Sequence, residues 1–209
     1  MAYGPHDLLF LRAPQAFAAS GARPDWLDDA WLERAPLVVR REATPAGRIP
    51  VGARGPQRNQ RCAGYVGADD VVLCVTPETL AEAVLAGHLP ADDLPCSAAL
   101  RALAPRLAAL GLAWGPVGGA GFWLATGLPV LRASSDLDLL VRAPLPLASA
   151  LVESLCALQA SAPCRVDIQV DTGAGGFALA EYARGGRVML KTAHGPLLLA
   201  DPWRQAEAA

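Results

Sequence analysis

Three short stretches carry residue types that could do chemistry: Val117-Gly118-Gly119, Ser135-Asp136-Leu137-Asp138-Leu139 and Val166-Asp167-Ile168. On an extended strand residues two apart face the same side, so Asp136 and Asp138 point one way while Leu137 and Leu139 pack the other. Two carboxylates held side by side repel unless a cation sits between them. Hard oxygen donors of this kind suit Mg²⁺ carrying a substrate phosphate. Asp167, on a further strand, can complete the set, and a third carboxylate would allow a two-metal arrangement that activates an attacking hydroxyl and clamps a leaving phosphate. Asp171 lies on the same face of the same strand, so either could be the third acid. Gly118 and Gly119 supply backbone N–H groups and room for phosphate oxygens.

Positioning these residues requires an alternation of strands and helices in the second half of the chain. Strands are expected over 112–117, 136–141, 165–170, 188–191 and 197–199, with helices over 97–110, bending or restarting at Pro105, and 120–126. A further helix carries Leu147, Leu151, Leu155 and Leu158. The first part of the chain reads differently. Short apolar runs at 7–11, 36–40, 48–51, 63–66 and 70–75, separated by Gly, Pro and Asn, describe a small β-rich unit, interrupted by a helix over 25–34. Thr76-Pro77 opens another helix as N-cap and first helical residue. The fold class is therefore α+β, with a β-rich domain over 1–88 and an α/β domain over 89–209.

Composition narrows the function. The 209 residues are 53% hydrophobic and 18% charged, with a formal net charge of −2. These values exclude a disordered chain and argue against a protein whose main work is coating nucleic acid. There is no apolar run long enough to cross a bilayer and no signal-peptide pattern at the start, so no membrane partner and a cytoplasmic location are expected. The five cysteines form no Cys-x-x-Cys pair, and His6, His88 and His194 lack metal-site spacing. No Gly-x-Ser-x-Gly, Gly-Lys-Ser/Thr or dinucleotide glycine fingerprint occurs. One local exception stands out: six arginines from Arg40 to Arg61 face the single acid Glu42. Arg54, Arg58 and Arg61, in a Gly/Pro/Asn context, are candidate ligands for an anionic partner, as is Lys191, the sole lysine.

Gly-Gly followed by a hydrophobic-flanked Asp-x-Asp and a later flanked Asp resembles the nucleotidyltransferase superfamily that includes DNA polymerase β. More narrowly, His6-Asp-Leu-Leu, Pro36-Leu-Val-Val-Arg-Arg41, Val51-Gly-Ala-Arg-Gly-Pro-Gln-Arg58, Gln60-Arg-Cys-Ala63, Thr126-Gly-Leu-Pro129, Ser135-Asp-Leu-Asp-Leu139 and Lys191-Thr192 resemble the malonate decarboxylase holo-acyl-carrier-protein synthase family, also called phosphoribosyl-dephospho-CoA transferase. Gly119 departs from the Gly-Ser of that pattern and removes one hydroxyl. The resemblance implies a polymerase-β-like nucleotidyltransferase domain. It further implies transfer of the 2′-(5″-phosphoribosyl)-3′-dephospho-CoA group from its triphosphate precursor to a serine of the apo acyl carrier protein of malonate decarboxylase, with release of diphosphate. By that analogy Asp136 and Asp138 hold Mg²⁺ on the triphosphate, Asp167 supports the metal that makes the serine oxygen nucleophilic, and Gly118 and Gly119 cradle phosphates. The residues by themselves leave two other readings open: a nucleotidyltransferase using an NTP on another protein or small molecule, and a binding module that kept the fold and lost catalysis.

Overall fold

A computed structural model describes residues 3–43, 47–89 and 93–204. The chain divides into two compact units. One contains the residues up to Thr76 together with Phe122–Val130, and the other contains Pro77–Gly121 and the chain from Leu131 onward.

The first unit is a six-stranded antiparallel sheet of β1 (Leu8–Leu11), β2 (Ala18–Ala19), β3 (Leu37–Val39), β4 (Arg48–Arg54), β5 (Arg61–Gly67) and β6 (Val71–Val75), in the order β2-β5-β4-β3-β1-β6. Alternation dictates its two faces. Val51 and Ala53 of β4, with Cys62 and Val66 of β5, are buried against Leu9, Leu27, Leu32 and Leu37, while Arg48, Arg54, Arg61 and Tyr65 take the opposite side. Phe17 lies over β5 where Gly64 leaves space for it, an added Cβ there falling 2.4 Å from the ring. The helix expected over 25–34 shrinks to α1 (Asp29–Leu32). Asp28 caps it by accepting from Trp31 N at 2.7 Å, and the Arg23 guanidinium engages both the Leu27 carbonyl and Asp29, which holds the preceding residues in a turn.

The second unit begins with α2 (Pro77–Leu85) and α3 (Pro95–Ala108), continues through β7 (Ala113–Pro116), α4 (Gly118–Thr126), β8 (Leu137–Arg142), α5 (Ser149–Ala160) and β9 (Val166–Asp171), and closes with β10 (Gly175–Ala178), α6 (Leu179–Ala183), β11 (Val188–Thr192) and β12 (Gly195–Leu199). Its sheet order is β12-β11-β10-β9-β8-β7, and only β8 and β9 are parallel. Parallel neighbours need a crossover, and α5 supplies it. Leu137, Leu139 and Val141 of β8 and Val166, Ile168 and Val170 of β9 are buried on one face, which Phe177 of β10 extends to Tyr182 of α6.

Three expectations are corrected here. The helix over 97–110 runs through Pro105 without restarting. Pro105 and Arg101, whose carbonyl loses its partner, both lie on the solvent side, where water can take the bond. Strand β10 went unread because Gly175-Gly176 has little strand propensity. Tertiary packing demands it: a Cβ at Gly175 would sit 2.5 Å from the Leu190 side chain. The division between units falls at Thr76/Pro77 rather than at 88/89, because α2 lies on β7, and Phe122–Val130 belongs with the first unit, where the Arg54 guanidinium stacks 5.5 Å from the Phe122 ring centroid.

The α2–β7 contact is close enough to test. A Cβ at Gly115 would fall 1.9 Å from the Pro77 carbonyl oxygen, a backbone atom that cannot swing away. Gly115→Ala should therefore cost about 1–3 kcal/mol, seen as a Tm lowered by several degrees in thermal unfolding followed by circular dichroism. Gly21→Ala, with nothing within 4 Å of the added atom, should leave Tm unchanged.

Candidate active site

The site is assembled where β7 ends beside the start of β8. Pro116 pairs with Leu139, and Val117 N donates to the Asp138 carbonyl at 2.9 Å, so the chain leaving β7 turns directly over the Asp-x-Asp segment. Gly118 makes that turn with φ +59°, and a Cβ there would meet Asp138 Oδ2 at 2.0 Å. Only glycine meets both demands. The carboxylate of Asp138 thus lies against the first residue of α4, where the helix start favours negative charge. Gly119 follows in the same turn.

Asp136 sits just ahead of β8, half-buried. Its carbonyl accepts from the Cys96 thiol of α3 at 3.6 Å, and a turn in which Ser135 Oγ accepts from Arg132 N at 2.9 Å leads the chain into it. Cys164 lies nearby. Burial pushes its pKa up, a hydrogen bond with the Leu137 backbone works the other way, and the charge of Asp136 adds to the rise, so it remains a neutral thiol.

Asp138 and Asp167 are register partners across the parallel β8–β9 ladder, and with their neighbours buried they share the opposite face of the sheet. Asp167 Oδ2 accepts from Arg165 at 3.1 Å in a half-exposed ion pair. Among the described residues no three or more His, Cys, Asp or Glu converge closely enough to hold a metal ion. Mg²⁺ in its usual mode needs only one or two carboxylates, with phosphate and water completing the shell, and Asp136 and Asp138 are oxygen donors of the type it takes.

The structure separates the two acids of β9. Asp171 is buried and committed: its Oδ2 accepts from Arg142 at 2.5 Å and its Oδ1 from Gly173 N at 2.9 Å. Arg142 also donates to Glu78 of α2 at 3.0 Å. Burial works against the Arg142 charge, but the hydrogen bonds and charges of Glu78 and Asp171 more than offset it and raise its pKa. Asp171 stands four residues beyond Asp167, about 13 Å along the strand. Lys191 joins Asp171's end of the sheet, in register with Gly176, which pairs with Asp171, so it is a further two strands over and does not meet the Asp136/Asp138 pair. Arg142 and Glu78 escaped the sequence reading. Arg142 shares the strand parity of Asp138 and was legible as a same-face residue; Glu78, sixty-four positions away, left no signal.

The three candidate arginines belong to the β4–β5 hairpin of the first unit. Arg54 and Arg61 are cross-strand partners closing the 55–60 turn, and Arg58 is exposed at its tip. Gln60 organises the turn, accepting from Gln57 N at 2.9 Å through its side chain and from Gly55 N at 3.1 Å through its carbonyl. Trp31 Nε1 anchors the base through the Arg54 carbonyl at 2.8 Å. Elsewhere in the segment, Arg40 pairs with Glu42 at 2.7 Å, and Arg48 lies over the Tyr65 ring. Those two serve the sheet itself.

No solved structure matches this chain. Residues 4–77 match the family described as phosphoribosyl-dephospho-CoA transferase MdcG N-terminal domain, and residues 82–202 match its C-terminal domain. Proteins named phosphoribosyl-dephospho-CoA transferase are similar along almost their whole length. One from Klebsiella pneumoniae is 46% identical over 97% of each chain, and one from Pseudomonas putida is 44% identical over 98% of this chain and 97% of its own. One from Pseudomonas aeruginosa is 44% identical over 97% and 95%. Matched over both halves and along nearly the full length of these relatives, the chain belongs to the phosphoribosyl-dephospho-CoA transferase family.

Proposed function

We propose that this enzyme transfers the 2′-(5″-phosphoribosyl)-3′-dephospho-CoA group from its triphosphate precursor to a serine hydroxyl of the apo acyl carrier protein of malonate decarboxylase. The serine oxygen forms a bond to the α-phosphorus, the bond to the departing diphosphate breaks, and the hydroxyl proton is given up. Family membership supports the donor. The observation that carries the chemistry is the Asp138 carboxylate lying in the space that a side chain at Gly118 would fill. It puts a carboxylate against a glycine turn at the start of a helix, a pairing suited to holding a metal-bound triphosphate in place.

In this reading Asp136 and Asp138 hold Mg²⁺, and Gly118 and Gly119 let phosphate oxygens approach the backbone. Mg²⁺, when bound, neutralises charge on the phosphates and on the leaving diphosphate. Asp167, one strand over and in register with Asp138, orients the acceptor hydroxyl, its carboxylate held by an ion pair with Arg165. Arg54, Arg58 and Arg61 grip anionic groups of the donor. The second unit is read as a polymerase-β-like nucleotidyltransferase domain and the first as the recognition unit. Among the described residues no helix is long and apolar enough to cross a membrane, in keeping with a cytoplasmic enzyme acting on a carrier protein.

The direct test is to incubate the protein with apo carrier, the triphosphate donor and Mg²⁺, and to weigh the carrier by mass spectrometry. The expected gain is one prosthetic group, with an equal amount of diphosphate released. Omission of Mg²⁺ should abolish it. Asp136→Ala and Asp138→Ala should keep the fold, since neither side chain belongs to the buried core, and should lower the rate by at least about a hundredfold. Unchanged carrier modification by either folded variant would remove the metal site from the scheme.

Asp167→Asn should lower kcat with little change in Tm. Asp171→Asn should lower Tm and leave kcat unchanged, because it weakens a buried ion pair at a cost of about 1–3 kcal/mol and touches no reacting group, any effect on turnover being confined to the donor KM. The reverse pattern would exchange their roles. Arg58→Glu with Arg61→Glu should raise the donor KM and leave the carrier KM alone, and donor binding by the natural protein should weaken with salt, as attraction between exposed charges is screened beyond about 8 Å at physiological ionic strength. A carrier KM that moves alone would assign the hairpin to the carrier.

A further inference from the structure

Helix α2 touches the chain on both sides of the diglycine turn. The backbone of Pro77 fills the space over Gly115, just before the turn. Leu80 Cδ1 comes within 3.5 Å of the Cβ position of Gly121 in α4, just after it. Glu78, in the same helix turn, reaches to Arg142 at the far end of β8 at 3.0 Å, and Arg142 is anchored in turn on Asp171 at 2.5 Å. The first turn of α2 therefore brackets Pro116–Ala120 from both ends. What pins that helix turn is a chain of three charges on the face of the sheet that also carries Asp138 and Asp167.

We propose that Glu78 and Arg142 are positioning residues for donor phosphate binding: the Glu78–Arg142–Asp171 chain seats α2 on β7 and thereby sets the height of the Gly118–Gly119 turn over Asp138. This rests on the reading that the turn receives the donor's phosphates. The physical case is one of tolerance. Val117 is tied to the Asp138 carbonyl at 2.9 Å and Gly121 N to the Val117 carbonyl at 3.1 Å, but Gly118 has no side chain to pack, so α2, which touches both ends of the turn, is what packs it against the rest of the unit. A fork-shaped guanidinium serves the purpose where an ammonium would not, since it can hold Glu78 through Nε and Asp171 through its terminal nitrogen at once.

Glu78→Gln in the full-length enzyme is the informative variant, because Glu78 is partly exposed and its loss leaves Arg142 still paired with the buried Asp171. Losing a group that orients ligand-holding residues typically costs 10–100-fold, so the donor KM should rise about tenfold while the carrier KM stays within about twofold. Calorimetric titration with inorganic triphosphate and Mg²⁺ should weaken by a similar factor, a readout free of turnover. Arg142→Lys, which keeps the charge and loses the fork, should show the same split. A lowered Tm with both KM values and triphosphate affinity unchanged would make the ion-pair chain purely structural and overturn the proposal. Gly118→Ala separates this from failure of the underlying reading. If it binds triphosphate as the natural protein does, the turn is not a phosphate site and both ideas fall; if it loses triphosphate while Glu78→Gln does not, only the role of α2 falls.

Discussion

The candidate site turns on one steric constraint: a carboxylate oxygen of Asp138 occupies the volume in which any side chain at position 118 would begin. A glycine with left-handed φ is required there, and the helix that follows must start at that residue, its amide end directed at the acid. The remainder of the second unit can be read as the means of keeping this approach. β7 and β8 fix the two backbones in antiparallel register, and the parallel β8–β9 pair places Asp167 opposite Asp138. Loss of any of these would leave a carboxylate near a glycine without a reason for either.

Charge in this unit is divided by burial. Asp136, Asp138 and Asp167 are half-buried at one end of the sheet, within reach of solvent and incoming ligands. Asp171 is deeply buried at the other end and meets Arg142, without which it would be an uncompensated charge in a poorly solvated place. Two acids on the same face of one strand are thereby given different work by their neighbours alone. The arginines of the first unit are sorted in the same way. Arg40 and Arg48 are absorbed by Glu42 and Tyr65, whereas Arg54, Arg58 and Arg61 cluster at a hairpin end whose shape depends on Gln60.

Much of this was legible in the residues themselves. Short apolar runs bounded by Gly, Pro and Asn located β1 and β3–β6, and the alternation of strand-length runs with helical spacing located β7–β9, β11 and β12. Thr76-Pro77 announced α2 through local capping chemistry, and the Gly-Gly, Asp-x-Asp and flanked-Asp elements marked the candidate site because their chemistry is carried by residue type. Features that depend on distant packing were not legible. β10 exists because Leu190 needs the space of Gly175, α1 is short because Arg23 and Asp28 hold the chain before it, and the unit boundary falls at Pro77 because α2 finds β7 more than thirty residues downstream.

The sequence by itself determined which groups are available: a glycine pair, an alternating pair of acids, a run of arginines and the family that combines them. Tertiary structure decided which of these meet. It set Asp138 against Gly118, aligned Asp167 with Asp138, withdrew Asp171 into an ion pair, left Lys191 at the far end of the sheet, and drew Glu78 to Arg142. The physical reason is that residue type and local alternation act over a few positions, whereas strand order and register bring together groups dozens of residues apart, and no local pattern encodes that choice.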